Sequence, residues 1–219
     1  MVKTSALHVI WDWNGTVLND FDVAFRSTNK AFREVGLPEI DADTYRARLR
    51  QPIQDFYAAI LGRELPADQC AAIEKAFDGY YADEELSTSL AAELPGLFQK
   101  WLDAGHTQSL LSLYRHDALR PEVERRGLSS YFALVQGTTP PYPLGKSAHL
   151  ADHLAKLDIA PTNAVLIGDL VDDAKAARAA GARIVLYSGG FGCRDNLVAT
   201  GAPVADSLVE ALELVSALR

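Results

Sequence analysis

The amino-acid sequence predicts an α/β protein, with a doubly wound parallel sheet and an all-helical domain inserted near its beginning. Two observations lead to this prediction. Short apolar runs recur along the 219-residue chain and later alternate with helical segments, each of roughly ten to fifteen residues. That alternation is expected of right-handed βαβ units, whose parallel sheet is covered by helices on both faces. The second observation is a long early interval that shows helical periodicity and no convincing strand.

The apolar runs define the predicted strands. They cover Leu7–Trp11, Gln108–Leu111, Ala133–Gln136, Ala164–Ile167 and Arg183–Tyr187. Runs that are apolar throughout indicate strands buried on both faces, as in the centre of a parallel sheet. The predicted core is therefore Rossmann-like and is formed by residues 1–18 and 89–219.

Residues 19–88 form the predicted helical insertion. The helices are expected at Phe21–Val35, Asp43–Leu49, Pro52–Leu61 and Ala67–Leu86, where apolar residues recur at three- and four-residue spacing. Four helices joined by short connections can close a small bundle around its own apolar core. We therefore expect a separate helical domain.

The composition excludes several classes of protein. The chain has a mass of 23.8 kDa, 48% hydrophobic residues, a net charge of −8 and a pI near 5.1. Its scattered basic residues form no footprint for nucleic acid or an anionic membrane. It has no apolar stretch that could span a bilayer and no secretory segment, so we expect a cytoplasmic protein. Cys70 and Cys193 have no metal-type spacing and cannot supply a disulfide framework.

Polar residues follow the predicted strands at four places. The first strand is followed by Asp12, Asn14 and Thr16, the second by Ser112, and the fourth by the segment Gly168–Asp173; Lys146 stands at the start of a later helix. The carboxyl ends of parallel strands meet at one edge of a sheet, where ligands bind. We therefore expect these residues to assemble a single site.

The chemistry of these residues is complementary. Asp12 and Asp169 would repel each other above one sheet unless a cation lay between them, and oxygen ligands of this kind suit Mg²⁺. Lys146 can neutralise a nucleophilic carboxylate and a phosphoryl oxygen together, while Ser112 can donate to another oxygen. The site favours phosphoryl transfer to Asp12.

These motifs, in this order, resemble those of the haloacid dehalogenase-like hydrolases, and among them the phosphoglycolate-phosphatase-like members with a helical cap after the first motif. The first motif of that family, Asp-x-Asp-x-Thr, is matched at residues 12–16. Ser112 matches the second motif and Lys146 the third. The acidic fourth motif is matched by Asp169 and Asp173 within Gly-Asp-x-x-x-Asp. The resemblance covers nearly the whole chain.

The resemblance implies roles for these residues. Asp12 would attack phosphorus and form an aspartyl phosphate, which water then cleaves. Mg²⁺ would be held by Asp12, Asp169 and the main-chain carbonyl of Asn14, with Asp173 ordering its waters. The implied function is that of a Mg²⁺-dependent phosphatase acting on a small phosphorylated metabolite.

Asn14 departs from the family pattern, which has an acid/base aspartate at this position. An asparagine keeps the backbone ligand for the metal but removes the proton donor, whose help is worth roughly 10²- to 10⁴-fold in rate. Three explanations remain open: natural variation in an enzyme that acts on an activated phosphate or recruits Arg115 or His116, a substitution introduced to trap a complex, and loss of catalysis. A catalytically weakened phosphometabolite-binding protein, or a phosphotransferase or mutase, is therefore an alternative function.

Further residues are candidates for substrate binding. Arg50 and Gln51 lie near a predicted helix junction where members of the family place specificity residues. Arg115 and His116 follow Ser112 on a predicted core loop, and Thr16 completes the first motif. For Arg50, Gln51, Arg115 and His116, solvated or purely structural roles are the alternative. The glycine-rich segment 188–192 is expected to form a loop near the site.

Overall fold

The computed structural model describes residues 6–140 and 145–218. The amino-terminal half contains β1 (His8–Trp11), β2 (Leu18–Asn19), α1 (Phe21–Glu34), α2 (Ala42–Arg48), α3 (Ile53–Leu61), α4 (Ala67–Glu85), β3 (Ser89–Leu90) and α5 (Gly96–Asp103). The remainder contains β4 (Thr107–Arg115), α6 (His116–Arg125), β5 (Val135–Thr138), α7 (Lys146–Leu157), β6 (Ala164–Gly168), α8 (Val171–Ala180), β7 (Arg183–Tyr187), α9 (Arg194–Ala199), β8 (Val204–Ala205) and α10 (Leu208–Ala217).

The main sheet confirms the predicted fold class. Its six strands run in the order β5-β4-β1-β6-β7-β8, and every neighbouring pair is parallel. All residues of β1 and β6 are buried. One apolar cluster joins Val9 and Trp11 to Phe98 of α5, and another joins Ile10 to Leu150 of α7. Helices thus cover both faces, which explains why these strands are apolar throughout.

Some predicted boundaries were wrong. The strand predicted at Gln108–Leu111 extends from Thr107 to Arg115, and the one predicted at Ala133–Gln136 lies at Val135–Thr138. The register of β4 against β5 shifts between Leu111 and Arg115, so the more polar end of β4 continues the sheet through an irregularity. The short strands β2, β3 and β8 were not predicted, because two residues carry no periodic signal.

The helices α1 to α4 lie between β2 and β3. These two strands pair antiparallel, Leu18 with Leu90 and Asn19 with Ser89, and so bring the two ends of the helical segment together. The helices share an apolar cluster that includes Phe32, Phe56 and Ile73. This cluster is separate from those that cover the main sheet.

Phe191, which follows β7, joins the apolar cluster of the helical segment. Its ring lies 5.8 Å from that of Phe21 and 6.3 Å from that of Tyr45, measured between centroids. The glycine-rich segment 188–192 therefore contacts both parts of the chain. No helix among the described residues is long and apolar enough to cross a membrane.

Candidate active site

The carboxyl ends of β1 and β6 place two carboxylates side by side. Asp12 directly follows β1 and Asp169 directly follows β6, and the strands are in register, with Trp11 paired to Ile167. The main chain of Asp12 continues this pairing by donating to the carbonyl of Ile167 at 2.9 Å. Neighbouring parallel strands thus bring both acids to one edge of the sheet, as the sequence predicted.

Lys146 connects this edge to α8. It is the first residue of α7, and its Nζ lies 2.7 Å from Asp12 Oδ2 and 2.5 Å from Asp173 Oδ1. All three side chains are at most 10% exposed, so these ion pairs are screened little by solvent. Lys146 therefore holds two carboxylates from different elements beside one another.

Burial and charge shift the pKa values of these groups. Burial raises the pKa of Asp12 to about 6, although the Lys146 ammonium favours its charged form. Burial, together with Asp12 and Asp173, raises the pKa of Asp169 well above its usual range. Burial opposes the charge of Lys146, but the two carboxylates outweigh it and raise the pKa of the lysine. The site thus carries more negative charge than one ammonium compensates.

Asp169 is held by the first motif and by the loop after β7. The hydroxyl of Thr16 donates to Asp169 Oδ1 at 3.1 Å, and the backbone N–H of Phe191 donates to Oδ2 at 2.6 Å. Gly15 has a φ of +73°, and a Cβ there would overlap Asp169 Oδ2 and the Phe191 ring. A glycine is therefore required for this close approach.

The three carboxylates could hold a metal ion. Asp12, Asp169 and Asp173 each offer an oxygen, and these oxygens lie within 4.8 Å of one another in a buried setting. Hard oxygen ligands and the uncompensated negative charge suit a divalent cation such as Mg²⁺. The residues present therefore fit the magnesium site that the sequence predicted.

Ser112 and Arg115 line a cavity at this edge, and Arg115 lies in a strand, not on the core loop that was predicted for Arg115 and His116. Ser112 lies inside β4, Arg115 is its last residue, and His116 begins α6. Ser112 is buried, and its Oγ accepts from the N–H of Tyr114 at 3.0 Å. His116 is absent from the cavity lining; its Nδ1 accepts from the N–H of Gly137 at 3.1 Å.

The other candidate substrate-binding residues also divide into one that lines the cavity and two that do not. Gln51 lines the cavity, and its backbone N–H donates to Asp172 Oδ2 at 2.8 Å, which ties the α2–α3 junction to α8. Arg50 and Thr16 are not among the described residues of the cavity lining. The Arg50 side chain donates a hydrogen bond to the carbonyl of Arg48, and the Thr16 hydroxyl donates one to Asp169.

Asp20 and Tyr81 were missed by the sequence analysis. Asp20 Oδ2 accepts from the Asn14 side-chain amide at 2.7 Å and from the Tyr81 hydroxyl at 2.7 Å, and its Oδ1 accepts from the N–H of Gly15 at 2.8 Å. Burial raises the pKa of Asp20 despite these donors. An acid just before a helix is ordinarily a cap residue, yet Asp20 makes no side-chain cap bond to α1. Tyr81 lies 61 residues from Asp20 in the sequence, so no local sequence pattern indicates this contact.

The cavity itself has a volume of about 610 Å³ and lies between the sheet edge and the helical segment. Asp12, Asn14 and Lys146 line one end of it, while Tyr81 and Glu85 of α4 line its other walls. A volume of this size is typical of small-molecule sites. The predicted nucleophile therefore lines a cavity that is large enough to hold a small-molecule substrate.

The chain was compared with known protein families, and the result agrees with the arrangement of Asp12, Lys146, Asp169 and Asp173 described above. Residues 9–187 match the family described as haloacid dehalogenase-like hydrolase. The chain belongs to this family. The resemblance noted in the sequence is thereby confirmed, and the motifs that carried it are the ones the structure brings to a single edge. As a haloacid dehalogenase-like hydrolase, the chain is also similar over its length to individual members.

Two curated relatives are named phosphoglycolate phosphatase. The protein from Nitrosococcus oceani is 28% identical, covering 95% of this chain and 96% of its own. The protein from Synechococcus elongatus is 26% identical, over 87% of this chain and 88% of the relative's own sequence. A solved haloacid dehalogenase-like family protein from Streptococcus pneumoniae superposes with a TM-score of 0.81 at 21% identity, covering 99% of this chain and 100% of its own. The solved structure of a predicted phosphatase from Clostridium acetobutylicum superposes with a TM-score of 0.84 at 16% sequence identity. This match covers 97% of the present chain and 100% of the other.

Proposed function

We propose that this haloacid dehalogenase-like hydrolase is a Mg²⁺-dependent phosphatase that hydrolyses a small phosphorylated metabolite through an aspartyl phosphate on Asp12. The observation that carries the proposal is the Lys146 ammonium, which contacts both Asp12 and Asp173 beside Asp169 at a buried sheet edge. The names of the curated relatives support the same activity.

The proposed metal ligands are Asp12, Asp169 and the main-chain carbonyl of Asn14, with Asp173 beside them. When bound, Mg²⁺ would offset the negative charge of the carboxylates and of the phosphoryl group that approaches them. Asp173 also accepts from the N–H of Leu170 at 2.8 Å, which fixes its carboxylate at the start of α8. The acid is thus positioned by backbone as well as by Lys146.

Asp12 is the proposed nucleophile. A carboxylate oxygen forms a bond to phosphorus as the bond to the leaving oxygen breaks, and water then cleaves the acyl phosphate to release inorganic phosphate and the free carboxylate. Lys146 balances charge on Asp12 and on a phosphoryl oxygen, and the Ser112 hydroxyl is placed at the same edge to donate to another. A main-chain donor from Trp13 to Asp12 Oδ1, at 2.9 Å, fixes the orientation of the nucleophile.

Residues 19–88 are the proposed cap, which would limit the access of bulk water and select the substrate. Two polar contacts at its junction with the core support this role. Gln51 bonds to Asp172, and Arg46 donates to the carbonyl of Gly190. We further propose a cytoplasmic enzyme whose partner is a small metabolite and not a nucleic acid.

The second candidate function is a phosphotransferase or a phosphometabolite-binding protein. It is favoured by Asn14, whose amide is bound to Asp20 and cannot exchange a proton with a leaving alcohol or an attacking water. Slow hydrolysis of the aspartyl phosphate would leave time for transfer to another acceptor.

An assay with acyl, aryl and alkyl phosphates, each with and without Mg²⁺, tests the proposal. We expect Mg²⁺-dependent phosphate release, its loss in Asp12→Asn, and a phosphorylated form of the wild-type chain in acid-quenched mass spectra. Transfer to an added alcohol without phosphate release would favour the phosphotransferase. Binding without turnover of any ester would favour the binding protein, and turnover that survives Asp12→Asn would exclude the proposed nucleophile.

A further inference from the structure

The side chain of Asn14 is held in one orientation by two residues that line the same cavity. Its Nδ2 donates to Asp20 Oδ2 at 2.7 Å and to the Tyr81 hydroxyl at 3.0 Å. An ionised carboxylate only accepts hydrogen bonds, so the amide presents its nitrogen, and not its oxygen, to Asp20. Both N–H groups of the Asn14 amide are therefore in use.

The Tyr81 hydroxyl closes a ring of hydrogen bonds with these two side chains. It donates its single hydrogen to Asp20 Oδ2 at 2.7 Å, which leaves its oxygen to accept from Asn14. Tyr81 and Asp20 are both buried, so water competes little for these bonds. Asp20 precedes α1 and Tyr81 lies on α4, so two distant parts of the chain support one amide group.

The carbonyl oxygen of the same amide is left free to accept. Asn14 Oδ1 has no donor in the described part of the chain, and it is not one of the buried atoms there that lack a partner, so it keeps exposed surface. Asn14 is only partly buried and lines the cavity together with Asp12. Nδ2 and Oδ1 point in different directions from a planar amide, so bonding the nitrogen to Asp20 and Tyr81 turns the oxygen away from that pair.

We propose that Asn14 Oδ1 accepts a hydrogen bond from the water that cleaves the aspartyl phosphate, and that Asp20 and Tyr81 are positioning residues that hold the amide in place. This inference rests on the proposed phosphatase function. The water oxygen bonds to phosphorus as the bond between phosphorus and Asp12 breaks, and the electron pair of that bond returns to the carboxylate. Both hydrogens of the water leave on the inorganic phosphate, so Asn14 neither takes nor gives a proton. An amide side chain orients the attacking water in other phosphoryl-transfer enzymes.

The same oxygen gives no help to the first step of the reaction. The leaving oxygen of a phosphate ester carries no hydrogen, so it cannot donate to Asn14 Oδ1, whereas a water molecule has two hydrogens to donate. The support of Asn14 by Asp20 and Tyr81 should therefore affect hydrolysis of the aspartyl phosphate and leave its formation unchanged.

Acid-quenched single-turnover time courses with an aryl phosphate separate the two steps, since they give rate constants for formation and for hydrolysis of the aspartyl phosphate. Asp20→Asn leaves one acceptor oxygen for the donors of Asn14, Gly15 and Tyr81, so the amide of Asn14 is no longer held in one orientation. We expect the rate constant for hydrolysis to fall about threefold to tenfold, near the range of one hydrogen bond. The rate constant for formation should not change.

Tyr81→Phe and Tyr80→Phe are a matched pair on α4. Tyr81→Phe should slow hydrolysis of the aspartyl phosphate, by less than Asp20→Asn does, because Asp20 still accepts from Asn14. Tyr80→Phe should leave both rate constants unchanged, since the Tyr80 hydroxyl donates to Glu34 and Tyr80 does not line the cavity.

A double-mutant cycle shows whether Tyr81 acts through Asn14. Asn14→Ala should slow hydrolysis of the aspartyl phosphate at least as much as Asp20→Asn. Adding Tyr81→Phe to Asn14→Ala should then have no further effect on this step, because the amide that Tyr81 supports is gone. A general structural contribution of Tyr81 would persist in both backgrounds.

The outcomes separate this inference from the proposed function. An aspartyl phosphate that is hydrolysed equally fast in the wild type, Asp20→Asn and Tyr81→Phe would overturn the inference and leave the phosphatase proposal intact. So would an equal slowing of both steps, or an effect of Tyr81→Phe that is the same with and without the Asn14 amide. Tyr81→Phe removes one hydroxyl and decides the question if Asp20→Asn does not fold. If the wild type neither forms an aspartyl phosphate nor releases phosphate, the phosphatase proposal fails, and this inference fails with it.

Discussion

The side-chain amide of Asn14 donates a 2.7 Å hydrogen bond to Asp20, a buried carboxylate six residues along the chain. The Tyr81 hydroxyl, from the last turns of α4, donates to the same oxygen. The first motif is therefore connected through Asp20 to the helical segment. A change of charge at position 14 acts directly on this carboxylate.

Asn14→Asp should make the free energy of unfolding fall more steeply as pH rises. Two carboxylates at hydrogen-bond distance, one of them buried, raise the pKa of the pair. The stability contributed by an acid with a raised pKa is present at low pH and is lost as pH rises. We expect the free energy of unfolding at pH 8 to be about 1–3 kcal/mol below that of the wild type, with a smaller difference at pH 5. Urea unfolding at both pH values measures this.

The exchanged pair Asn14→Asp with Asp20→Asn is the matched control. It restores one amide and one carboxylate at the same two positions, so most of the lost stability at pH 8 should return. An equal loss in the single and the exchanged variant would show that repulsion between positions 14 and 20 is not the cause.

Asn14→Asp should also accelerate hydrolysis in a way that depends on the leaving group. An aspartate can protonate a departing alkoxide, and such help is worth roughly 10²- to 10⁴-fold. A phenolate leaves more readily without a proton, so we expect a large rise in kcat for an alkyl phosphate and a much smaller one for an aryl phosphate. Steady-state assays of both esters give the two ratios. Equal increases would indicate that position 14 does not act on the leaving oxygen.

The core of the site could be predicted because its signals are local. The strands β1 and β6 are apolar throughout, since both of their faces are covered, and each ends directly before an aspartate. Parallel strands place both aspartates at one edge, and the pairing of β1 with β6, which the structure shows, brings Asp12 and Asp169 side by side. Lys146 and Asp173 stand at the starts of helices, and the resemblance to the third and fourth motifs of the family is what singled them out.

The cavity wall could not be predicted in the same way. Tyr81 and Glu85 reach the site only because α4 packs against the rest of the chain, and nothing within their own helix distinguishes them from residues that face solvent. Asp20 has the ordinary sequence signature of a helix cap. The extension of β4 to Arg115 passes through a register shift, which periodicity does not reveal. These features depend on tertiary contacts between distant segments.

The metal-free protein should lose stability as pH rises from about 4 through 6. Burial raises the pKa of Asp12 to about 6 and that of Asp169 well above its usual range. A raised pKa means that the stabilising contribution is complete below the ordinary value and is lost as the folded group ionises. Mg²⁺ should reverse this loss, by about 2.7 kcal/mol at a hundred times its Kd. Thermal unfolding with Mg²⁺ or a chelator, at pH 5 and 8, measures both effects.

Asp169→Asn is the informative variant for this prediction. Thr16 and Phe191 donate to different oxygens of Asp169, so an asparagine keeps one acceptor: its oxygen can accept from the Phe191 N–H while its amide donates to the Thr16 hydroxyl, and one buried negative charge is removed. We expect higher stability without metal at pH 8 and a reduced stabilisation by Mg²⁺. Unchanged stabilisation by Mg²⁺ would place the metal elsewhere.

Gly15→Ala and Gly36→Ala separate backbone strain from the close approach at the site. Both glycines have a positive φ, +73° and +74°, but a Cβ at Gly36 meets no atom within 4 Å, whereas one at Gly15 would overlap Asp169 and Phe191. Gly36→Ala should therefore lower the free energy of unfolding only by the cost of placing an alanine in the left-handed conformation, about 1–2 kcal/mol. Gly15→Ala adds overpacking and should cost about 3 kcal/mol or more.

The two alanine variants should differ more in activity than in stability. Displacing Asp169 in Gly15→Ala should weaken the Mg²⁺ response and abolish hydrolysis even at temperatures where the variant remains folded. Gly36→Ala, at the end of α1 and away from the carboxylates, should retain both. Urea unfolding, Mg²⁺-dependent thermal shifts and ester hydrolysis on the pair provide the comparison. Equal losses in the two variants would mean that the packing of Gly15 against Asp169 contributes nothing beyond its backbone conformation.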